Sequence, residues 1–423
     1  MEEFLTVEEI ASSFKLSRRT ILRLIYSKKL KAVKIGNRWR IPRQEINTIL
    51  KGQQEELFPP DKKNISAKTL KNADEVHWIS ITKNELFSEY PLTYTCVDLF
   101  AGAGGLSLGF KWAGFKSLAA VEIYDEAVET YKYNFPDVKV FKGDIKDNSL
   151  KEELCVYVQK KLKDLGKEEL DVLIGGPPCQ GFSLAGLRLV EDPRNNLYRE
   201  FLDITKKLHP KILVMENVEG LRSFLGGRVE RKIVEDMKKL GYEVNVTTLN
   251  SAWYGVPQLR KRVIFIANRI GIKNYHPAPI FKKTNYKTVK DAIEDLLNEP
   301  ENKEFNHIFT RHKPDMVERL KKVPQGGNLY PYYTDAWKRP YWNKPAPTVK
   351  ENHGGVHIHP ILPRVMTPRE LARLQSFPDS FIFKGSKKHQ LVQIGNAVPP
   401  LMAKAIGISV RKMLEESEQG SSN

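Results

Sequence analysis

"DLFAGAGGLSLGF", residues 98–110, is the stretch on which the fold turns. It begins as an apolar strand, breaks into a turn carrying Gly102, Gly104 and Gly105, and resumes as a helix. Glycines let a backbone approach a ligand closely, and the N–H groups at a new helix start favour a ligand's polar groups. One such turn is a weak signal, but the next two apolar runs strengthen it. "SLAAVEI" carries Glu122 at its end, 17 residues beyond Gly105, where a carboxylate can accept bonds from ribose hydroxyls. "KVFKGDI" carries Asp144, placed to read an adenine amino group. Three successive strand ends therefore offer nucleoside-type contacts along one edge of a sheet.

Working outward, "YTCVDLF", "DVLIGG", "ILVMENV" and "RVIFIAN" repeat the theme, giving six strand candidates from Tyr94 onward, separated by helix-like stretches. Largely apolar runs predict strands covered on both faces, as in a parallel α/β sheet. Ligands of such sheets bind outside the carboxyl ends of the strands. A nicotinamide dinucleotide is the natural rival, yet GAGGLS lacks the GxGxxG spacing because Ser107 stands where the third glycine belongs. S-adenosylmethionine, with one nucleoside and no pyrophosphate, fits better.

"GGPPCQGFS", residues 175–183, follows the fourth strand and holds Cys179 between proline and glycine residues that leave the backbone few shapes. "VMENVEG" brings Glu216 to the end of the fifth strand, and "QLRKRVIFIA" opens the sixth with Gln258, Arg260 and Arg262 on one side. A thiol, a carboxylate and two guanidiniums are thus expected beside a methyl donor. Cys96 and Cys155 read as packing cysteines. The three cysteines form no CxxC pair, so neither a zinc site nor a disulfide framework is indicated.

Taken together, FAGAGG, PPCQGFS, ENV, QxRxR and QIGNAVPP, in that order along residues 94–405, resemble the cytosine-5 DNA methyltransferase family. The resemblance implies a Rossmann-like S-adenosylmethionine-dependent methyltransferase fold. Cys179 would add to carbon 6 of a flipped cytosine, and nearby cations would favour its thiolate. Glu216 would hold or protonate ring nitrogen 3, Arg262 would contact the pyrimidine carbonyl, and Arg260 would steady the site. Phe100, Ala101, Gly102, Gly104, Gly105, Glu122, Ile123, Asp144, Ile145, Pro177 and Leu197 would line the cofactor pocket, which Asn396 and Val398 close at its methionine end. Ile123 departs from the aromatic residue that some members stack on adenine. Gln258 and the Gly326-Gly327 loop are expected at the DNA.

The chain has 423 residues and a formal net charge of +17. That surplus favours a polyanion partner, with nucleic acid first. No apolar run reaches the ~18 residues of a membrane span, and "MEEFLTVEEI" is unlike a signal peptide, so a cytoplasmic address is expected. Residues 1–52 read as a separate basic unit. Thr6 and Glu9 have capping-box spacing, Ser17 caps a second helix with Ile21, Leu24 and Ile25 on one face, and "KAVKIGNRWRIP" reads as a hairpin about Gly36-Asn37. The span resembles the winged helix-turn-helix domains of the excisionase and MerR-like group. That likeness implies Ser17, Arg18, Arg19 and Arg23 in a DNA major groove.

The expected layout is then a linker at 53–93, a catalytic domain at 94–269, a small target-recognition domain at 270–344, a catalytic return at 345–415 and a disordered tail at 416–423. The implied activity is DNA cytosine-5 methylation of a specific duplex sequence by a monomer, as the modification enzyme of a restriction-modification system with a companion restriction endonuclease. The alternatives are methylation of transfer RNA by the same chemistry and a DNA-binding regulator with a spent catalytic fold.

Overall fold

The computed structural model describes residues 4–13, 21–22, 25, 30–36, 38–43, 76–178, 197–330, 337–350 and 357–421. They belong to two compact units, one within 1–74 and one formed by 75–178 and 197–423.

In the N-terminal unit, β1 (Phe4–Thr6) leads into α1 (Val7–Ser13), and β2 (Val33–Ile35) pairs antiparallel with β3 (Arg38–Pro42). The expected capping box is present: Glu9 N donates to Thr6 Oγ1 at 3.1 Å, and Thr6 N donates to Glu9 Oε2 at 2.7 Å. Gly36 turns the hairpin with φ +61°, a conformation open to glycine. The strand order β1-β3-β2 adds one strand that the sequence pattern did not announce. Val7, Ile10, Ile21, Ile25, Leu30 and Ile41 form the core of this unit. Ser17, Arg18, Arg19, Arg23, Leu24 and Asn37 lie outside the described residues.

The large unit starts earlier than expected. β4 (His77–Ile79) pairs parallel with β12 (Tyr275–Pro277), and α2 (Lys83–Phe87) opens with a Thr82–Glu85 capping box and buries Leu86. Residues 76–93 are therefore part of the large unit rather than a linker, and 275–277 pair with them in that same unit. Their partners are distant in sequence, which local periodicity cannot reveal.

The central sheet has seven strands in the order β10-β11-β9-β8-β5-β6-β7. These are β5 (Tyr94–Leu99), β6 (Phe115–Glu122), β7 (Lys139–Lys142), β8 (Val172–Gly175), β9 (Ile212–Val218), β10 (Glu243–Asn250) and β11 (Lys261–Asn268). Helices α3 (Gly105–Trp112), α4 (Asp125–Asn134), α5 (Asn148–Asp164) and α6 (Leu197–Leu208) come between the parallel strands, and α7 (Arg228–Lys239) precedes β10. All six expected strands are present. The seventh, β10, alternates buried and half-exposed positions at the sheet edge, so it lacks the continuous apolar run of a covered strand. β5 to β9 pair parallel, but β11 runs antiparallel to β9 and β10. The sheet is mixed, and this matters for the site. An antiparallel β11 begins at the edge where β5, β8 and β9 end. A parallel one would have carried Arg260 and Arg262 to the far side.

The chain leaves β5 toward β6 and β7 on one side, then crosses back to β8 on the other. Such a switch point opens a crevice between the two loops that follow the flanking strands. Here those loops are the glycine turn and the segment leading to Cys179.

After β12 come short helices α8 (Val289–Ile293) and α9 (Pro314–Lys321), then α10 (Pro368–Leu374), α11 (Lys387–Asn396) and α12 (Pro400–Ser421). Leu320, Val323 and Ile358 form a small separate cluster. α12 gives Met402, Ala403, Ile406, Val410 and Met413 to the main core. It packs on α3 at Gly109, where an added Cβ would collide with Ala403. The expected tail is helical as far as Ser421, and Tyr94 donates to Glu418 Oε2 at 2.9 Å. The stretch Lys387–Gly420 is long and apolar enough for a membrane span, but 78% of its apolar window is buried in the protein. The core accounts for its apolarity.

Candidate active site

The glycine turn is held in a strained and specific shape. Phe100 has φ +61°, costly for a bulky side chain, and Gly104 has φ +95°. Ala101 N donates to Val121 O at 3.0 Å, and Gly102 N donates to Glu122 Oε2 at 2.7 Å. Glu122 Oε1 accepts from Ile123 N and Tyr124 N at 2.9 and 2.8 Å. The carboxylate at the end of β6 thus ties the turn to the neighbouring strand. Burial pushes its pKa up, while these N–H donors oppose the shift. Gly105 starts α3 against the backbone of the C-terminal return, where a Cβ would collide with Val398 O.

These residues fit a nucleoside sulfonium. Ile123 is 61% exposed, unusual for isoleucine, and presents an apolar surface beside Glu122. Asp144 is exposed at the end of β7, with Oδ1 accepting from Lys146 N, and Ile145 is buried behind it. Asp98 lies under the turn, buried. Its Oδ2 accepts from Ser107 Oγ at 2.6 Å, while Oδ1 has no protein partner. Burial pushes the Asp98 pKa up to about 7, and the Glu122 charge adds to the rise.

Across the crevice, Glu216 and Arg262 form an ion pair, with Nε to Oε1 at 2.8 Å and both side chains 13% exposed. In the β9–β11 ladder Glu216 faces Ile264, so Arg262 is its diagonal neighbour on the same face. Burial pushes the Arg262 pKa down, and the Glu216 charge opposes that shift. A Cβ on Gly176 would lie 3.2 Å from Glu216 Oε2, so the loop backbone runs past this carboxylate. Asn217 Nδ2 donates to Pro177 O at 3.2 Å, fixing the loop two residues before Cys179. Cys179 itself lies outside the described residues. Cys96 and Cys155 are buried free thiols, and burial pushes the Cys96 pKa up to about 12 and that of Cys155 upward. Neither is activated.

Residues 94–412 match the family described as C-5 cytosine-specific DNA methylase, and residues 4–54 match a helix-turn-helix domain family. The chain belongs to the C-5 cytosine-specific DNA methylase family. The Type II methyltransferase M1.HphI of Haemophilus parahaemolyticus is 42% identical over 342 residues, covering 77% of this chain and 88% of its own. M.DdeI of Desulfomicrobium norvegicum is 36% identical, covering 73% and 86%. A crystal structure of a DNA modification methyltransferase encoded within an E. coli prophage covers 76% of this chain and 100% of its own, with TM-score 0.62 and 28% identity. The methylase is a DNA (cytosine-5-)-methyltransferase, and its methyl donor is S-adenosylmethionine.

Two expectations about the methylase need correction or refinement. Gln258 does not face DNA. It is fully buried, giving Nε2 to Leu374 O and Gln375 Oε1 and accepting at Oε1 from Val349 N. The alternation that turns Arg260 and Arg262 inward turns Gln258 inward as well. Arg260 is 2% exposed and donates to Val349 O at 2.8 Å and Gly395 O at 3.0 Å, so it ties distant backbone segments together. Gly326 N donates to Arg339 O, and a Cβ there would collide with Tyr341. Gly327 N donates to Pro324 O, so the glycine pair serves the fold of its own loop. Phe100, Ala101, Gly102, Gly104, Gly105, Glu122, Ile123, Asp144 and Ile145 gather at the ends of β5 to β7. Pro177 precedes the loop, Leu197 begins α6, and Asn396 and Val398 follow from α11, with Asn396 exposed. Sequence reading missed Asp98, Asn217 and Gln375. The first two stand inside the quoted motifs as strand-end polar residues; Gln375 gave no local signal.

Proposed function

We propose that this methylase transfers a methyl group to carbon 5 of a flipped cytosine in one specific duplex sequence, through a covalent adduct with Cys179. The observation that carries the reading is the Glu216–Arg262 pair at the carboxyl edge of the sheet, against the backbone that leads to Cys179. S-adenosylmethionine supplies an electrophilic methyl on a sulfonium. The Cys179 thiolate adds to carbon 6 while Glu216 holds or protonates ring nitrogen 3, which makes carbon 5 nucleophilic. Arg262 orients Glu216 and takes the pyrimidine carbonyl. After transfer, loss of the carbon 5 proton and elimination of the thiolate restore the aromatic ring. The donor is held by the turn at 100–105, Glu122, Ile123 and Asp144, with Pro177, Leu197, Asn396 and Val398 around it.

The recognition region reads the site through the major groove. Its relatives' designation as Type II methyltransferases supports a role as the modification half of a restriction-modification system, with a companion endonuclease and a cytoplasmic setting. The enzyme works on DNA as a monomer, and the N-terminal unit adds a second DNA contact through Ser17, Arg18, Arg19 and Arg23. Two experiments test the chemistry. Cys179→Ala should abolish methyl transfer and leave donor binding intact. A duplex carrying 5-fluorocytosine at a mapped target should trap the enzyme covalently in the presence of donor, because fluorine at carbon 5 cannot leave as a proton does. Retained turnover in the variant would remove Cys179 as nucleophile.

A further inference from the structure

We infer that Gln375 is a positioning residue for the methyl donor, acting through the backbone of residues 394–398. This rests on the reading that Asn396 and Val398 close the donor site. α11 ends at Asn396, and its last carbonyls need donors. The sequence "IGNAVPP" withholds them. The residues four on from Gly395 and Asn396 are Pro399 and Pro400, which have no N–H. Ala397, at φ −63° and ψ 146°, turns the chain out of the helix before Val398 can serve Ile394.

Side chains from elsewhere meet the need. Gln375 Nε2 donates to Ile394 O at 2.6 Å and to Ala397 O at 3.3 Å. Arg260 Nη2 donates to Gly395 O at 3.0 Å. The next residue, Ser376, accepts from Leu401 N at 3.1 Å on the far side of the prolines. Gln375 Oε1 in turn accepts from Gln258 Nε2 at 2.7 Å, and Gln258 and Arg260 between them hold both backbone groups of Val349. Gln375, Gln258 and Arg260 are all essentially buried. The turn is clamped from behind by this network and pressed in front against Gly105, where Val398 O meets the start of α3. Gln375 thereby joins the donor-side turn to the strand that carries Arg262, without touching either substrate.

The test uses the full-length enzyme with Gln375→Met, Gln375→Asn and Gln375→Glu. Met removes both amide functions at similar volume. Asn is too short to span Gln258 and the turn. Glu keeps the acceptor for Gln258 and loses the donors. Equilibrium binding of S-adenosylmethionine is expected to weaken about tenfold in each, the equivalent of one buried hydrogen bond. KM for the donor should rise in parallel, with kcat at saturating donor and KM for DNA within about twofold. Equal losses in every constant, donor binding unchanged from wild type, or failure of all three variants to fold would each overturn the inference, since the role would then be general stability. Asn396→Ala in parallel tests the underlying reading. If it too leaves donor binding unchanged, the assignment of 394–398 to the donor is wrong. If it weakens donor binding while the Gln375 variants do not, only the role of Gln375 falls.

Discussion

At the scale of single residues, Asp98 and Asn217 hold the two sides of the crevice. Asp98 has a folded-state pKa of about 7 against an ordinary value of 3.8, chiefly through burial. A carboxyl raised in this way favours the fold while protonated. Its contribution is full below about pH 4 and is lost as pH climbs through 7. The donor-free enzyme should therefore lose melting temperature between about pH 4 and 7, and Asp98→Asn should flatten that decline in a thermal melt series. Equal slopes for both proteins would contradict the assignment. Asn217 acts on the other loop through Pro177 O. Asn217→Ala should lower kcat about tenfold or more, because a nucleophile held loosely spends less time in reach of its target. Stability should fall by only about 1–2 kcal/mol, the usual cost of a buried amide bond, and donor binding should stay near wild type.

At the scale of elements, the site depends on how β11 runs and on how α3 begins. An antiparallel β11 brings Arg262 to Glu216, and its inward alternation commits Gln258 and Arg260 to the C-terminal return. The start of α3 depends on Gly105, whose missing Cβ makes room for Val398 O. Gly105→Ala should force the turn and the return apart. Donor binding should become undetectable by calorimetry, and stability should fall by about 1–3 kcal/mol, typical of overpacking at a tight contact. A glycine-to-alanine change at Gly420 in α12, where a Cβ meets nothing within 4 Å and the backbone is not left-handed, provides the comparison without a clash.

At the scale of the whole molecule, the chain combines a catalytic unit closed by its own C-terminus with a small N-terminal unit that has its own core. Ile81, Leu86 and β4 belong to the catalytic unit, so a functional cut falls near residue 74. Deleting residues 1–74 should leave the main melting transition within a few degrees and preserve methyl transfer at low salt. DNA binding should weaken, with a shallower dependence on salt concentration, because fewer phosphates are neutralised. Deleting from Pro400 onward should instead prevent folding, since α12 fills the core beside β5 and α3.

The sequence by itself determined the family and most of the scaffold. The glycine turn, Glu122, Asp144, the segment leading to Cys179 and Glu216 each stand at the end of an apolar run, so local pattern is enough to bring them to one edge; Arg262 stands at the start of one and reaches that edge only because β11 is reversed. Only the tertiary structure decided which partner each polar side chain meets. The reversal of β11, the burial of Gln258, the joining of 76–93 to the catalytic unit and the clamp at Gln375 all depend on contacts between segments far apart in the chain. Hydrophobic periodicity reports whether a residue faces inward. It carries no information about what lies opposite, and in this enzyme that choice separates an exposed glutamine from one bonded to Leu374, Gln375 and Val349.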